Sequence, residues 1–171
     1  DELTEAGVRF SSQLPVSLEA PASVVLTFDD GTADHRRVAE ELGSRAIPAV
    51  FFVSAGLLGA DGYLRAPELS EMVSLGHVIG SHGMNHRRLD RLLDPQVEEE
   101  TRLSKELLER QIEVPVTLYA PAGGIGVAGL RLRLESAGYT ASRSMRWGIH
   151  LGPDERWSVP IVPVPHVPVD R

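Results

Sequence analysis

The sequence predicts an α/β domain with parallel strands, and three observations carry that expectation. Short β-branched apolar runs alternate with amphipathic stretches along the chain. Gly, Pro and Asp punctuate the boundaries between them. The 171 residues are 42% apolar and 24% charged, the size and composition of one soluble domain able to bury a sizeable core. No internal repeat, low-complexity segment or linker interrupts the pattern, so residues 1–171 are expected to form a single domain.

Taken in order, residues 1–21 read as an irregular lead-in carrying Pro15 and Pro21. Residues 22–28 (ASVVLTF) form a buried strand that stops at the Asp29-Asp30-Gly31 corner. Residues 34–42 follow as a short amphipathic helix, with Val38, Ala39 and Leu42 among charges and Gly43 at its end. Residues 49–55 (AVFFVSA) are a second buried strand, 67–75 a helix ended by Gly76, and 77–81 (HVIGS) a third strand. Asp94-Pro95 supplies a cap and a first-turn proline for the longest helix, which runs to about Arg110. Its Glu98, Glu99 and Glu100 sit where the helix dipole favours negative charge, and a solvated helix start accounts for them. Residues 116–119 are a strand, 129–137 a helix and 139–145 another strand. Parallel α/β folds gather chemistry at the strands' carboxyl ends. Asp29 and Asp30, His82, and residues 119–124 all leave such ends.

Charge and cysteine content narrow the function. Seventeen Lys+Arg against 24 Asp+Glu leave a net charge of −7 with no basic block, which disfavours nucleic acid and anionic membranes as partners. No apolar run approaches the ~20 residues of a membrane span. Cysteine is absent, which removes disulfides, thiolate metal sites and cysteine nucleophiles. Six histidines and the carboxylates remain for metal or acid–base chemistry. The chain starts at Asp1 rather than Met, so a removed export signal or anchor stays open. An extracytoplasmic or secreted location is the expectation, with the cytoplasm as the alternative.

His82-Gly-Met-Asn-His86 is a His-x-x-x-His pair, and one turn of helix at that spacing puts both imidazoles on one side. By itself such a pair is more often an accident or two satisfied surface histidines, and Asp29-Asp30 by itself is usually a turn. Together they make a coherent site: two imidazoles and a carboxylate are a common catalytic zinc shell with a position left for water. Adjacent aspartates in extended chain point to opposite sides, so one can ligate while the other serves as general base.

TFDDG (residues 27–31), AVFFVSA (49–55) and IGSHGMNH (79–86), in this order and spacing, resemble the NodB-type polysaccharide deacetylases, carbohydrate esterase family four. The resemblance is strong over residues 24–91 and looser beyond. It implies a distorted (β/α) barrel and metal-dependent removal of acetyl groups from N-acetylated sugars of a polysaccharide or glycoconjugate. It implies Asp29 as general base and Asp30, His82 and His86 as ligands of one divalent ion, zinc first, with cobalt or nickel as alternatives. The backbone N–H of Ala122 is the implied oxyanion donor.

The chain departs from the family in its later motifs. Tyr119-Ala-Pro121-Ala122-Gly123 stands where the family has Arg-x-Pro-aromatic-Gly, whose Arg orients the base. Arg143 or Arg146 are candidates to substitute. Trp147 in SMRWG stands near the fourth motif, and Tyr119 and Trp147 are candidate substrate-binding residues, with Tyr63 and Trp157 as further sugar-stacking surfaces. The family's late Leu-x-His acid has no good counterpart. His166 is the candidate acid and His150 the other late histidine, while residues 157–164 (WSVPIVPV) resemble branches ending in a proline-containing strand. His35 and His77 are expected to be structural. Two alternatives follow from these departures: a catalytically degenerate glycan-binding domain, and an O-acetyl esterase of the same fold. Oligomeric state is not readable from the sequence.

Overall fold

The structure is a computed structural model that describes residues 7–14, 23–149 and 155–164. The candidate acids His150 and His166 lie outside the described residues. Six strands form one parallel sheet: β1 (Leu26–Phe28), β2 (Ala49–Val53), β3 (Val78–Ser81), β4 (Leu118–Tyr119), β5 (Ala141–Trp147) and β6 (Val159–Ile161). Their spatial order is their chain order, and every neighbouring pair is parallel. Repeated crossovers of one hand curl such a sheet towards a barrel. Here β1 and β6 remain as edges among the described residues, so the result is a distorted half-barrel. β6 contains Pro160, which an edge strand tolerates because its outer side belongs to no sheet ladder among the described residues.

Helices α1 (His35–Ser44) and α2 (Ala66–Ser74) follow β1 and β2 close to the expected positions. The predicted long helix is present but composite. It comprises α3 (Asp94–Glu98), a π-helical turn (Glu99–Leu103) and α4 (Ser104–Ile112). Helix α5 (Leu130–Ser136) precedes β5.

Strand periodicity divides the core. All five β2 residues are buried. Ala49, Phe51 and Val53 join Leu69, Met72, Leu108 and Leu134 in the cluster under the helices. Val50 and Phe52 join Leu118, Ala120 and Ala141 on the concave face. The register aligns Val53, Ser81, Tyr119 and Ser142 across four strands. Strand alternation therefore turns the next row, with His82, Ala120 and Arg143, to the face opposite Tyr119. That one-residue parity decides which side chains reach the site.

Candidate metal and acid–base site

The chain turns at the end of β1 through Asp30 and Gly31, both at positive φ (77° and 78°). Asp30 thereby meets the residues leaving β3. Its Oδ1 lies 3.3 Å from His82 Nε2 and 3.0 Å from His86 Nε2. One ligand atom from each of the three residues lies within 4.8 Å of the others, the separation a shared cation requires. His82 is 2% exposed, and its Nδ1–H donates to the Ala120 carbonyl at 2.7 Å. That bond commits the Nδ1 proton and leaves the Nε2 lone pair facing the Asp30 oxygen. Two acceptors so close call for a proton or a cation between them, so the donor set fits a divalent metal ion. Where a proton takes that place, the hydrogen bond that His82 Nε2–H then donates, and secondarily the charges of both imidazoles, hold the Asp30 carboxyl below its ordinary pKa against the cost of burial. It therefore stays in the ligating form.

The two histidines are not on a helical turn, contrary to the spacing argument. Residues 82–86 form a loop, with φ of 85° at Gly83 and 53° at His86. The loop brings the rings to 5.1 Å between centroids.

Asp29 has a different environment. Its Oδ2 accepts a hydrogen bond from Arg143 Nη2, and its Oδ1 is buried with no partner among the described residues. Arg143 is 4% exposed and stacks its guanidinium over Phe52, 5.2 Å from the ring centroid. Arg146 instead pairs with Glu155 at 2.6 Å.

Tyr119 requires correction as a substrate-binding residue. It is 1% exposed, packed edge-on against Tyr139 under the helices, and its hydroxyl has no partner among the described residues. Register explains this: Tyr119 faces the helices, whereas Arg143, beside its strand partner Ser142, faces the site. Trp147 lies at the end of β5, 73% exposed. Ala122 begins the short turn Ala122–Gly124 beyond β4. That strand end is tied to the metal side by the Ala120 N–H, which donates to Ser81, and by the Ala120 carbonyl, which accepts from His82.

His77 is buried, accepting the Ala49 N–H at Nδ1 (3.2 Å) and donating from Nε2 to the Ala39 carbonyl (2.9 Å). His35 packs against Phe28 and Phe51 beneath the aspartate corner, and burial pushes its pKa down.

Glu100 is the residue that sequence reasoning missed. It is 1% exposed, not solvated, and its carboxylate holds the loop between the two histidines. A signal existed. Val97, Glu100, Ser104 and Leu108 recur at helical spacing as one buried stripe, and Glu100 falls on it.

Residues 19–142 match the profile of the polysaccharide deacetylase family, a span containing Asp29, Asp30, His82, His86 and Ala122. The chain belongs to the NodB-type polysaccharide deacetylase family. Peptidoglycan-N-acetylglucosamine deacetylase of Bacillus cereus is 29% identical to it over 139 residues, 80% of this chain and 61% of that protein. The chain thus spans about three fifths of that relative's length. IcaB from Ammonifex degensii superimposes with a TM-score of 0.81 at 25% identity, over 95% of this chain and 80% of that one. The Streptococcus pyogenes deacetylase PplD, in complex with acetate, has the same fold, with a TM-score of 0.83 at 22% identity over 93% of this chain and 75% of that one. The match to the family profile ends at Ser142, one residue before Arg143. The arginine that holds Asp29 therefore lies just beyond the matched span.

Proposed function

We propose that this chain hydrolyses acetyl groups from N-acetylated sugars of a polysaccharide or glycoconjugate, using one divalent ion, zinc in the first instance and otherwise cobalt or nickel. The observation that carries the reading is the meeting of Asp30, His82 and His86 beside an aspartate, Asp29, that stands outside the triad and pairs with Arg143. Family membership and a relative named for peptidoglycan N-acetylglucosamine support the substrate class.

Asp30, His82 and His86 would hold the ion, which supplies Lewis acidity to an acetyl carbonyl and lowers the pKa of water. Asp29 is the general base. Arg143 holds its Oδ2, which fixes the carboxylate beside the triad to accept a proton from the attacking water. The Ala122 N–H is the oxyanion donor, positioned by the β4 end that also orients His82. An amine leaves only when protonated, and His166 and His150 remain the candidates to supply that proton. Trp147 offers an exposed indole for sugar stacking. No helix among the described residues is long and apolar enough to cross a membrane. An extracytoplasmic or secreted site of action belongs to the same reading, supported by the polymeric substrate it proposes.

Acetate release from N-acetylated glycans, with zinc, cobalt or nickel supplied, tests the proposal. A chelator abolishes turnover, and Asp29→Asn lowers kcat by about 10²–10⁴, the usual contribution of a positioned base, while leaving the ion bound. A metal-loaded protein that releases no acetate from any such glycan overturns the enzymatic reading in favour of a glycan-binding domain. Release confined to O-acetyl esters favours the esterase alternative.

A further inference from the structure

The acidic run at the start of the composite helix contains a side chain that helps to build the metal site. Glu100 lies in the π-helical turn, with a carboxylate almost wholly withdrawn from water. Its Oε2 accepts the backbone N–H groups of Met84 (2.6 Å) and Asn85 (3.0 Å), and its Oε1 accepts Arg87 Nε (2.6 Å). Glu99 takes the other arm of Arg87 at 2.6 Å and the Asn85 side-chain amide at 3.4 Å.

Every residue between the two histidines is therefore tied down. The Gly83 N–H donates to Ser81 Oγ at 3.2 Å, and Ser81 Oγ is itself bonded to Ser104 Oγ at 2.9 Å. The carbonyls of Gly83 and Met84 accept the N–H groups of Ala55 (2.9 Å) and Gly56 (2.7 Å). Successive backbone N–H groups closing on one anion form a concave nest, and here the anion is a side chain of the same molecule. Gly83 is required twice over. Its φ is 85°, and a Cβ would stand 2.5 Å from Glu100 Oε2. A His-x-x-x-His pair on a helix has its spacing set by the helix. This pair lies on a loop, and the buried carboxylate is what fixes the loop's shape.

We infer that Glu100 is a positioning residue for the metal site, holding residues 83–87 so that His86 meets His82 and Asp30 before the ion arrives. The inference rests on the metal reading of the triad. Outer partners that orient ligands in this way typically contribute about 10- to 100-fold in metal affinity.

The test uses the full chain, freed of metal and titrated with cobalt(II) or zinc against a competing chelator. Glu100→Gln keeps the size of the side chain but replaces one acceptor oxygen with an N–H₂ group that faces donors. It is expected to weaken metal binding by about 10- to 100-fold and to change the cobalt(II) d–d spectrum, which reports ligand geometry. Arg87→Gln leaves both backbone bonds to Glu100 and is expected to weaken binding less than Glu100→Gln. A folded Glu100→Gln with the parent's affinity and spectrum overturns the assignment. A parent chain that binds no metal overturns the metal reading itself, a separate outcome. If Glu100→Gln does not fold, amide exchange in the metal-free parent decides. Protection of the Met84 and Asn85 amides by at least tenfold is the expected result, and their free exchange shows that the loop is not preorganised by Glu100.

Discussion

Asp29 and Asp30 are adjacent yet differently committed, and the surroundings of each carboxylate decide the division. Asp30 faces two imidazoles, whereas Asp29 faces one guanidinium held by burial and by the Phe52 ring. Asp29 and Arg143 are 114 residues apart, so no local motif pairs them. The sequence named Arg143 alongside Arg146, and strand register selects between them. Arg143→Met should therefore lower kcat by at least about tenfold, within the ~10²–10⁴ a positioned base supplies, with little change in KM or metal content. Steady-state kinetics on an acetylated glycan check this, and an unchanged kcat refutes the orienting role. His35 adds a pH dependence of stability. Burial holds its folded pKa below the ordinary 6.5, so the unfolded chain takes up a proton at higher pH than the folded one. Its contribution is intact above about pH 6.5 and is lost as pH falls from there through the folded pKa. Denaturant unfolding of parent and His35→Phe at pH 7 and pH 5 should show the parent losing more stability on acidification. Parallel losses refute it.

The strand ends and the alternation of elements were legible because they follow from short-range rules: β-branched runs, Asp-Gly corners, and glycine or proline stops. The aspartate corner and the histidine pair were legible as chemistry at such ends, but it was the family resemblance that named Asp30, His82 and His86 as the ligands. What connects the elements was harder to read. The loop 82–86 owes its shape to a carboxylate on a later helix, and the π-helical turn carrying that carboxylate leaves no signature in apolar periodicity. Tyr119 was misplaced because motif position ignores strand parity. His77, judged structural from sequence, joins the start of β2 to α1 through two buried hydrogen bonds. His77→Phe keeps an aromatic ring but strands the Ala49 N–H and removes the second bond to the Ala39 carbonyl, which keeps its helical partner within α1. The expected cost is about 1–3 kcal/mol for the orphaned group in urea unfolding, with metal affinity of the folded protein unchanged. A loss confined to a few tenths would show that water replaces both bonds.

For the molecule as a whole, the open sheet makes the metal site a mechanical link as well as a chemical one. Asp30 leaves β1, an edge strand of only three residues, while His82 and His86 leave β3 in the middle of the sheet. A bound ion therefore ties an edge to the interior across β2, adding a bond where the half-barrel has no β1–β6 closure among the described residues. A ligand that binds only the folded state at 100 times its Kd stabilises it by ~2.7 kcal/mol. For a domain of this length each kcal/mol shifts Tm by roughly 2–4 °C, so the ion should raise Tm by roughly 5–10 °C. Thermal unfolding of metal-free and metal-loaded protein measures the shift, and excess chelator should reverse it. In His82→Ala the shift should vanish, whereas in Asp29→Asn it should persist, because the proposed reading makes Asp29 the base rather than a ligand. Persistence of the full shift in His82→Ala would place the ion elsewhere. Its loss in Asp29→Asn would mean that the two aspartates share the ion rather than dividing ligand and base between them.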